Sequence, residues 1–224
     1  GAGGAGLSAA VTLHDLGREV VVLEKMPMIG GNTVRAEGGI NAAETPQQKK
    51  AGIPDTIDQF YADTMKGGHN LNDPALVRTL TTHAKDAVAW LVSLGADLNT
   101  VGRAGGAKYP RAHRPTDGSA IGPEVIRVLW KAAKDRKMDV RTQTRATEII
   151  MKDGRVAGVK ATTKDGKVYT IDAKAVVLAT GGFGANQDML VKYQPKLKGY
   201  ATTNQPGATG DGIILAEHAG AALV

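Results

Sequence analysis

Gly1, Gly3 and Gly6 open the chain as GAGGAG, a G-x-G-x-x-G pattern, and Glu24 follows 18 residues after Gly6. Glycines at that spacing allow a tight turn and a close backbone approach to a pyrophosphate. A helix N-terminus then faces the phosphates, and an acid at the end of the next strand accepts ribose hydroxyls. The chemistry implied is dinucleotide binding. The elements needed to place these groups are legible beside them. A small-residue helix is expected over Leu7–Gly17 and an apolar strand over Arg18–Lys25, ending in Glu24 and Lys25. No strand precedes Gly1, and a fold of this kind needs about five further residues upstream, so the chain is expected to be part of a longer one.

Further along, MPMIGGNTVRAEGGINAAET carries Gly30, Gly31, Asn32, Thr33, Gly38 and Gly39. That run is too rich in glycine for a simple crossover helix and suits backbone wrapped around a bulky cofactor. In VVLATGGFG, a parallel strand expected over Ala175–Thr180 meets Gly181 and Gly182, which puts small residues at the carboxyl end of a sheet, where ligands sit in open α/β folds. Gly210-Asp211-Gly212 opens a last helix, with Asp211 readable as its N-cap. The stretch Val101–Gly122 holds Arg103, Lys108, Arg111, His113 and Arg114. It reads as a nucleic-acid or membrane patch, a solvated loop, or a mobile cap facing an anionic substrate. His14 and His83 read as structural or exposed, and no histidine pair has metal-ligand spacing, so no metal site is expected.

The whole chain has 224 residues and a net charge of +6, with 42% hydrophobic and 22% charged residues, which is ordinary globular usage. Aromatics at 4% supply no base-stacking platform, so nucleic acid is not an expected partner. No apolar run approaches the ~18 residues of a membrane span. The absence of cysteine excludes disulfides, thiolate zinc sites, covalent haem attachment and cysteine nucleophiles. Helical spacing marks DTIDQFYADTMKGG and DPALVRTLTTHAKDAVAWLVSLGA, the second started by Asp73 and Pro74 and stopped by Gly95. A third helix, GPEVIRVLWKAAKDRK, follows the basic stretch. Two turn signals, at Asp153-Gly154 and Asp165-Gly166, then divide β-rich sequence into a three-stranded antiparallel excursion.

Taken in order, GAGGAG, EK, GGNT, GGINAAET, AHRP, ATGGFG and ATGDG resemble the flavin-binding segment of flavocytochrome c-type fumarate reductases, within the fumarate reductase/succinate dehydrogenase FAD-binding family. The resemblance covers essentially the whole chain. It implies an α/β fold: a Rossmann-like FAD-binding domain, with a parallel sheet and an antiparallel excursion, plus an inserted helical capping domain. The boundaries expected are 1–45 and 123–224 for the first and 46–122 for the second. The cofactor implied is noncovalent FAD, with haem only in parts of the protein outside this chain.

Carried over residue by residue, Gly1, Gly3, Ala5 and Gly6 meet the pyrophosphate, and Glu24, with Lys25 beside it, the adenosine ribose. Asn32, Thr33, Glu37, Gly38 and Gly39 line the flavin, Gly38 also touching substrate. Ala146 contacts adenine through its backbone, Thr180 and Gly181 form the ATGG contact, and Asp211 lies on the ribityl side. Glu37 departs from the small residue of the pattern. The resemblance favours the cap reading of the basic stretch. It also implies reduction of an activated C=C bond in a small dicarboxylate or other enoate, fumarate first and urocanate next. The alternative is a partial module that binds FAD without turnover. The family's substrate-clamping histidines and its proton-donating arginine have no counterpart by motif here, so no catalytic residue is expected in this chain. The electron donor, a haem or FMN domain or a quinol-linked cytochrome, is also expected outside it, and the compartment implied is periplasmic, with cytoplasmic as the alternative.

Overall fold

The computed structural model describes residues 1–223. The chain divides into two compact units, one formed by Gly1–Arg35 with the chain from Leu129 onward, the other by Ala36–Val128. The breaks fall at 35/36 and 128/129, against 45/46 and 122/123 expected.

In the first unit, helix α1 (Gly4–Asp15) starts three residues earlier than expected, with Gly3 as an extended N-cap. Leu7, Ala10 and Val11, at i, i+3 and i+4, are its buried face. Strand β1 (Val21–Leu23) follows, shorter than the expected run, and Glu24 stands at its end.

The second unit supplies β2 (Ile40–Asn41), α2 (Pro46–Lys50), α3 (Ile57–Gly67), α4 (Pro74–Ser93), β3 (Thr100–Gly102) and β4 (Ala112–Arg114). Thr45 closes a capping box with Gln48 at the start of α2. Asp73 caps α4 by accepting from the amides of Ala75 and Leu76. Val77, Thr81, Ala84, Val88 and Leu91 form the buried stripe of α4.

The strands of this unit pair antiparallel in the order β2-β4-β3. That corrects the loop expected over Val101–Gly122. Arg111 is 1% exposed and His113 0%. Arg111 donates from Nε and Nη2 to both carboxylate oxygens of Asp55, and from Nη2 to Asp63 at 2.8 Å. His113 bonds through Nε2 to Thr45 Oγ1 at 2.8 Å, and its Nδ1 lies 2.9 Å from the Arg111 carbonyl. Two of the groups read as a basic surface are therefore internal, because their side-chain partners sit 48 to 68 residues away in sequence.

Helix α5 (Ile121–Asp135) begins in the second unit and ends in the first. There β5 (Asp139–Arg141) pairs in parallel with β1, Val22 opposite Val140. Strands β6 (Thr144–Lys152), β7 (Arg155–Thr163) and β8 (Val168–Asp172) form the antiparallel sheet expected of the excursion. Gly154, with φ of 73°, sits in the tight turn between β6 and β7. Helices α6 (Gln187–Tyr193) and α7 (Asp211–His218) complete the described chain. The parallel strand expected over Ala175–Thr180 is not formed. This segment has no ladder partner among the described residues, and Val177 and Leu178 are 58% and 41% exposed. An apolar run becomes a strand only where a neighbour accepts and donates its backbone bonds.

Candidate dinucleotide site

A cavity of about 390 Å³ opens in the first unit where the start of α1, the end of β1 and the start of β6 converge. Gly1, Gly3, Ala5, Glu24, Lys25, Asn32, Thr33, Ala146, Thr180, Gly181 and Asp211 all line it. Gly6 does not. A Cβ there would collide with the Gly1 carbonyl oxygen, so Gly6 serves close packing beneath the site. Glu37, Gly38 and Gly39 belong to the second unit, in the segment leading into β2. In that unit the Glu37 carbonyl accepts from Arg114 Nη2 at 2.9 Å, and a Cβ on Gly39 would press on the backbone of Ala112 and His113. Arg145 and Gln205 also line the cavity, and neither is among the residues expected there. For Arg145 the only local signal is its place beside Ala146.

Glu24 holds the shape of the turn. Its Oε2 accepts the Ala2 amide at 2.8 Å and its Oε1 the Met26 amide at 2.9 Å. The side chain is nearly buried, yet each oxygen keeps a lone pair for a ligand hydroxyl. The Gly30 amide donates to the Ala2 carbonyl, and the Gly4 amide to Thr33 Oγ1 at 3.0 Å, tying the glycine loop to the Gly30–Thr33 turn. Asn32 accepts from the Gln205 amide at 2.7 Å and donates to the Asn204 side chain.

The first turn of α1 carries no acidic residue, so nothing on the helix neutralises the partial positive charge of its N-terminus. A Cβ on Gly3 would meet only the Gly30 carbonyl at 3.6 Å and Thr33 Oγ1 at 3.8 Å, so the space beside this glycine is free for a ligand.

Asp211 collects the remaining charges. It is the first residue of α7, and the N-cap is Gly210 in the left-handed region, which corrects the capping role expected of Asp211. Its Oδ2 lies 3.1 Å from Lys25 Nζ and 2.9 Å from Arg145 Nε, while its Oδ1 accepts the Thr209 hydroxyl at 2.6 Å. Burial raises the carboxyl pKa, but the Thr209 and Lys25 hydrogen bonds and the adjacent cations outweigh it and hold the group below the usual carboxylate value.

A glycine turn feeding a helix with no acid in its first turn, and an acid at the next strand's end, define a dinucleotide-binding α/β domain. The family model described as "FAD binding domain" matches residues 1–224. The chain belongs to that FAD-binding family, and FAD is its cofactor. Over all of its length it is 50% identical to a fumarate reductase (cytochrome) of Shewanella frigidimarina, covering 39% of that protein. A urocanate reductase of Eggerthella lenta is 37% identical over the whole chain, which covers 38% of it. Among solved structures, the open conformation of a flavocytochrome c3 fumarate reductase matches with a TM-score of 0.96 and 42% identity, over 99% of this chain and 40% of that one. The chain thus spans about two fifths of the length of these relatives. Among the described residues, no helix is long and apolar enough to cross a membrane, and no group of histidines and carboxylates could hold a metal ion.

Proposed function

We propose that the intact protein containing this chain is an FAD-dependent reductase of an activated C=C bond in a small unsaturated carboxylate, with fumarate the first candidate and urocanate or another enoate the next. The observation that carries this reading is the 50% identity to a fumarate reductase over the full length of the chain. Bound FAD supplies the hydride for such a reduction.

The residues of this chain bind and orient the cofactor. The start of α1 receives the pyrophosphate, Glu24 the ribose hydroxyls, and Asn32, Thr33, Thr180 and Gly181 the rest of the dinucleotide. The roles of Glu37, Gly38 and Gly39 toward flavin and substrate belong to the same proposal. So does an electron donor outside the chain, with haem favoured by the cytochrome in the relative's name. The proton donor is also placed outside. Arg111 is committed to Asp55 and Asp63, and burial lowers the His113 pKa although the Arg111 and Ile40 carbonyls oppose the shift.

The test is oxidation of reduced methyl viologen by the flavin-loaded intact protein, under anaerobic conditions, with fumarate, urocanate and acrylate compared. Fumarate-dependent turnover above the other two supports the reading. Bound FAD without turnover on any enoate overturns it in favour of a binding module.

A further inference from the structure

The resemblance puts Asp211 beside the ribityl chain, but its partners point to the other half of the ligand. Lys25 directly follows Glu24, and Arg145 directly precedes Ala146, the two residues assigned to ribose and adenine. One carboxylate oxygen of Asp211 ties both cations, and the other is taken by Thr209. With three donors on its two oxygens, Asp211 has little acceptor capacity left for the several hydroxyls of a ribityl chain. Glu24, by contrast, has two donors and room for two more.

We propose that Asp211 is a positioning residue of the adenosine end, and that Arg145, which it holds, is a further ligand-contacting residue there. The inference rests on FAD as the ligand. Arg145 is tethered to Asp211 through Nε alone among the described residues, so its Nη groups and the flat faces of the guanidinium remain available. Its side chain is 60% exposed and lines the cavity. A guanidinium whose plane is fixed by one bond is suited to stack on a purine, whereas a lysine ammonium is not. Two cations on one carboxylate also leave a surplus positive charge facing an anionic dinucleotide.

The experiment strips the intact protein of flavin and titrates it with FAD, FMN and ADP in the wild type and in Asp211→Asn, Arg145→Ala and Arg145→Lys. Asn is isosteric with Asp, and Arg145 is solvent-facing, so folding is checked by a thermal melt and expected to hold. We expect Arg145→Ala and Asp211→Asn to weaken FAD and ADP by the same factor, about tenfold. FMN affinity and the absorption spectrum of bound flavin should stay unchanged, and Arg145→Lys should restore only part of the loss. A weakened FMN affinity or an altered flavin spectrum, with ADP binding intact, would return Asp211 to the ribityl side. Equal affinities in all variants would reduce the cluster to a structural ion pair. Wild-type protein that takes up ADP but no flavin would instead overturn the flavoenzyme reading.

Discussion

Substituting two glycines of one motif should damage the protein in opposite ways. Gly3 has φ of −82° and ψ of −173°, extended backbone that any residue can adopt. Valine there loses the advantage of glycine over aliphatic residues at an N-cap, on the order of 1 kcal/mol. It regains about 0.4–1 kcal/mol from a less flexible unfolded chain. An added Cβ at Gly3 makes only ordinary contacts, 3.6 Å or longer. The apoprotein should therefore melt within about 3 °C of the wild type. The rest of the side chain, however, enters the cavity where the pyrophosphate must approach. A loss of FAD affinity of at least a hundredfold, about 2.7 kcal/mol, is expected.

At Gly6 the added methyl collides with the Gly1 carbonyl oxygen and lies 3.4 Å from Ala179 Cβ. Gly6→Ala gains about 1 kcal/mol of helix propensity but must push α1 away from its neighbours, an overpacking cost of about 1–3 kcal/mol or more. The assay is flavin released per mole of purified intact protein, with thermal melts of the flavin-free forms. Melts of the loaded protein would mix the two effects, because bound FAD itself stabilises the fold. Stoichiometric flavin in Gly3→Val, or a Gly3→Val apoprotein destabilised as much as Gly6→Ala, would refute the division of labour between these glycines.

Glu24→Ala should weaken FAD tenfold to a hundredfold by apoprotein titration. It should also destabilise the apoprotein by about 2–4 kcal/mol in denaturant melts, because the amides of Ala2 and Met26 lose their acceptor; a loss of affinity alone would contradict that bracing role. Arg111→Met leaves the fully buried Asp55 carboxylate unpaired, with an expected cost of about 3–5 kcal/mol, and adding Asp55→Leu should recover part of it in a double-mutant cycle. His113 has a folded pKa below its unfolded value near 6.5, so the unfolded chain takes up the proton first. Stability is full above that pH and falls as pH drops below it, and His113→Gln should flatten this window in melts from pH 8 to 5. The carboxyls of Asp63 and Asp211, despite the opposing effect of burial, lie below their ordinary value through hydrogen bonds and nearby cations. Their contribution should persist above about pH 4 and disappear as pH falls through their folded pKa values, a second transition that replacement of His113 leaves in place.

The dinucleotide cradle was legible in the residues because its parts are nearly consecutive. GAGGAG, the helix after it and Glu24 at the end of the next strand lie within 24 residues. Their roles follow from backbone geometry and helix polarity, which are local properties. The helix start at Asp73 and the two turns of the antiparallel excursion were legible for the same reason. Tertiary structure decided what depends on distant partners. It turned Arg111 and His113 from surface charges into interior groups by bringing Asp55, Asp63 and Thr45 to them. It separated Gly3, which faces the cavity, from Gly6, which packs beneath it, although both read alike as glycines of one motif. It also gathered Lys25 and Arg145, from two separate stretches of chain, onto the single carboxylate of Asp211. The sign of a charge is written in the sequence, but whether it is solvated, paired or aimed at a ligand depends on which groups the fold brings within hydrogen-bonding distance.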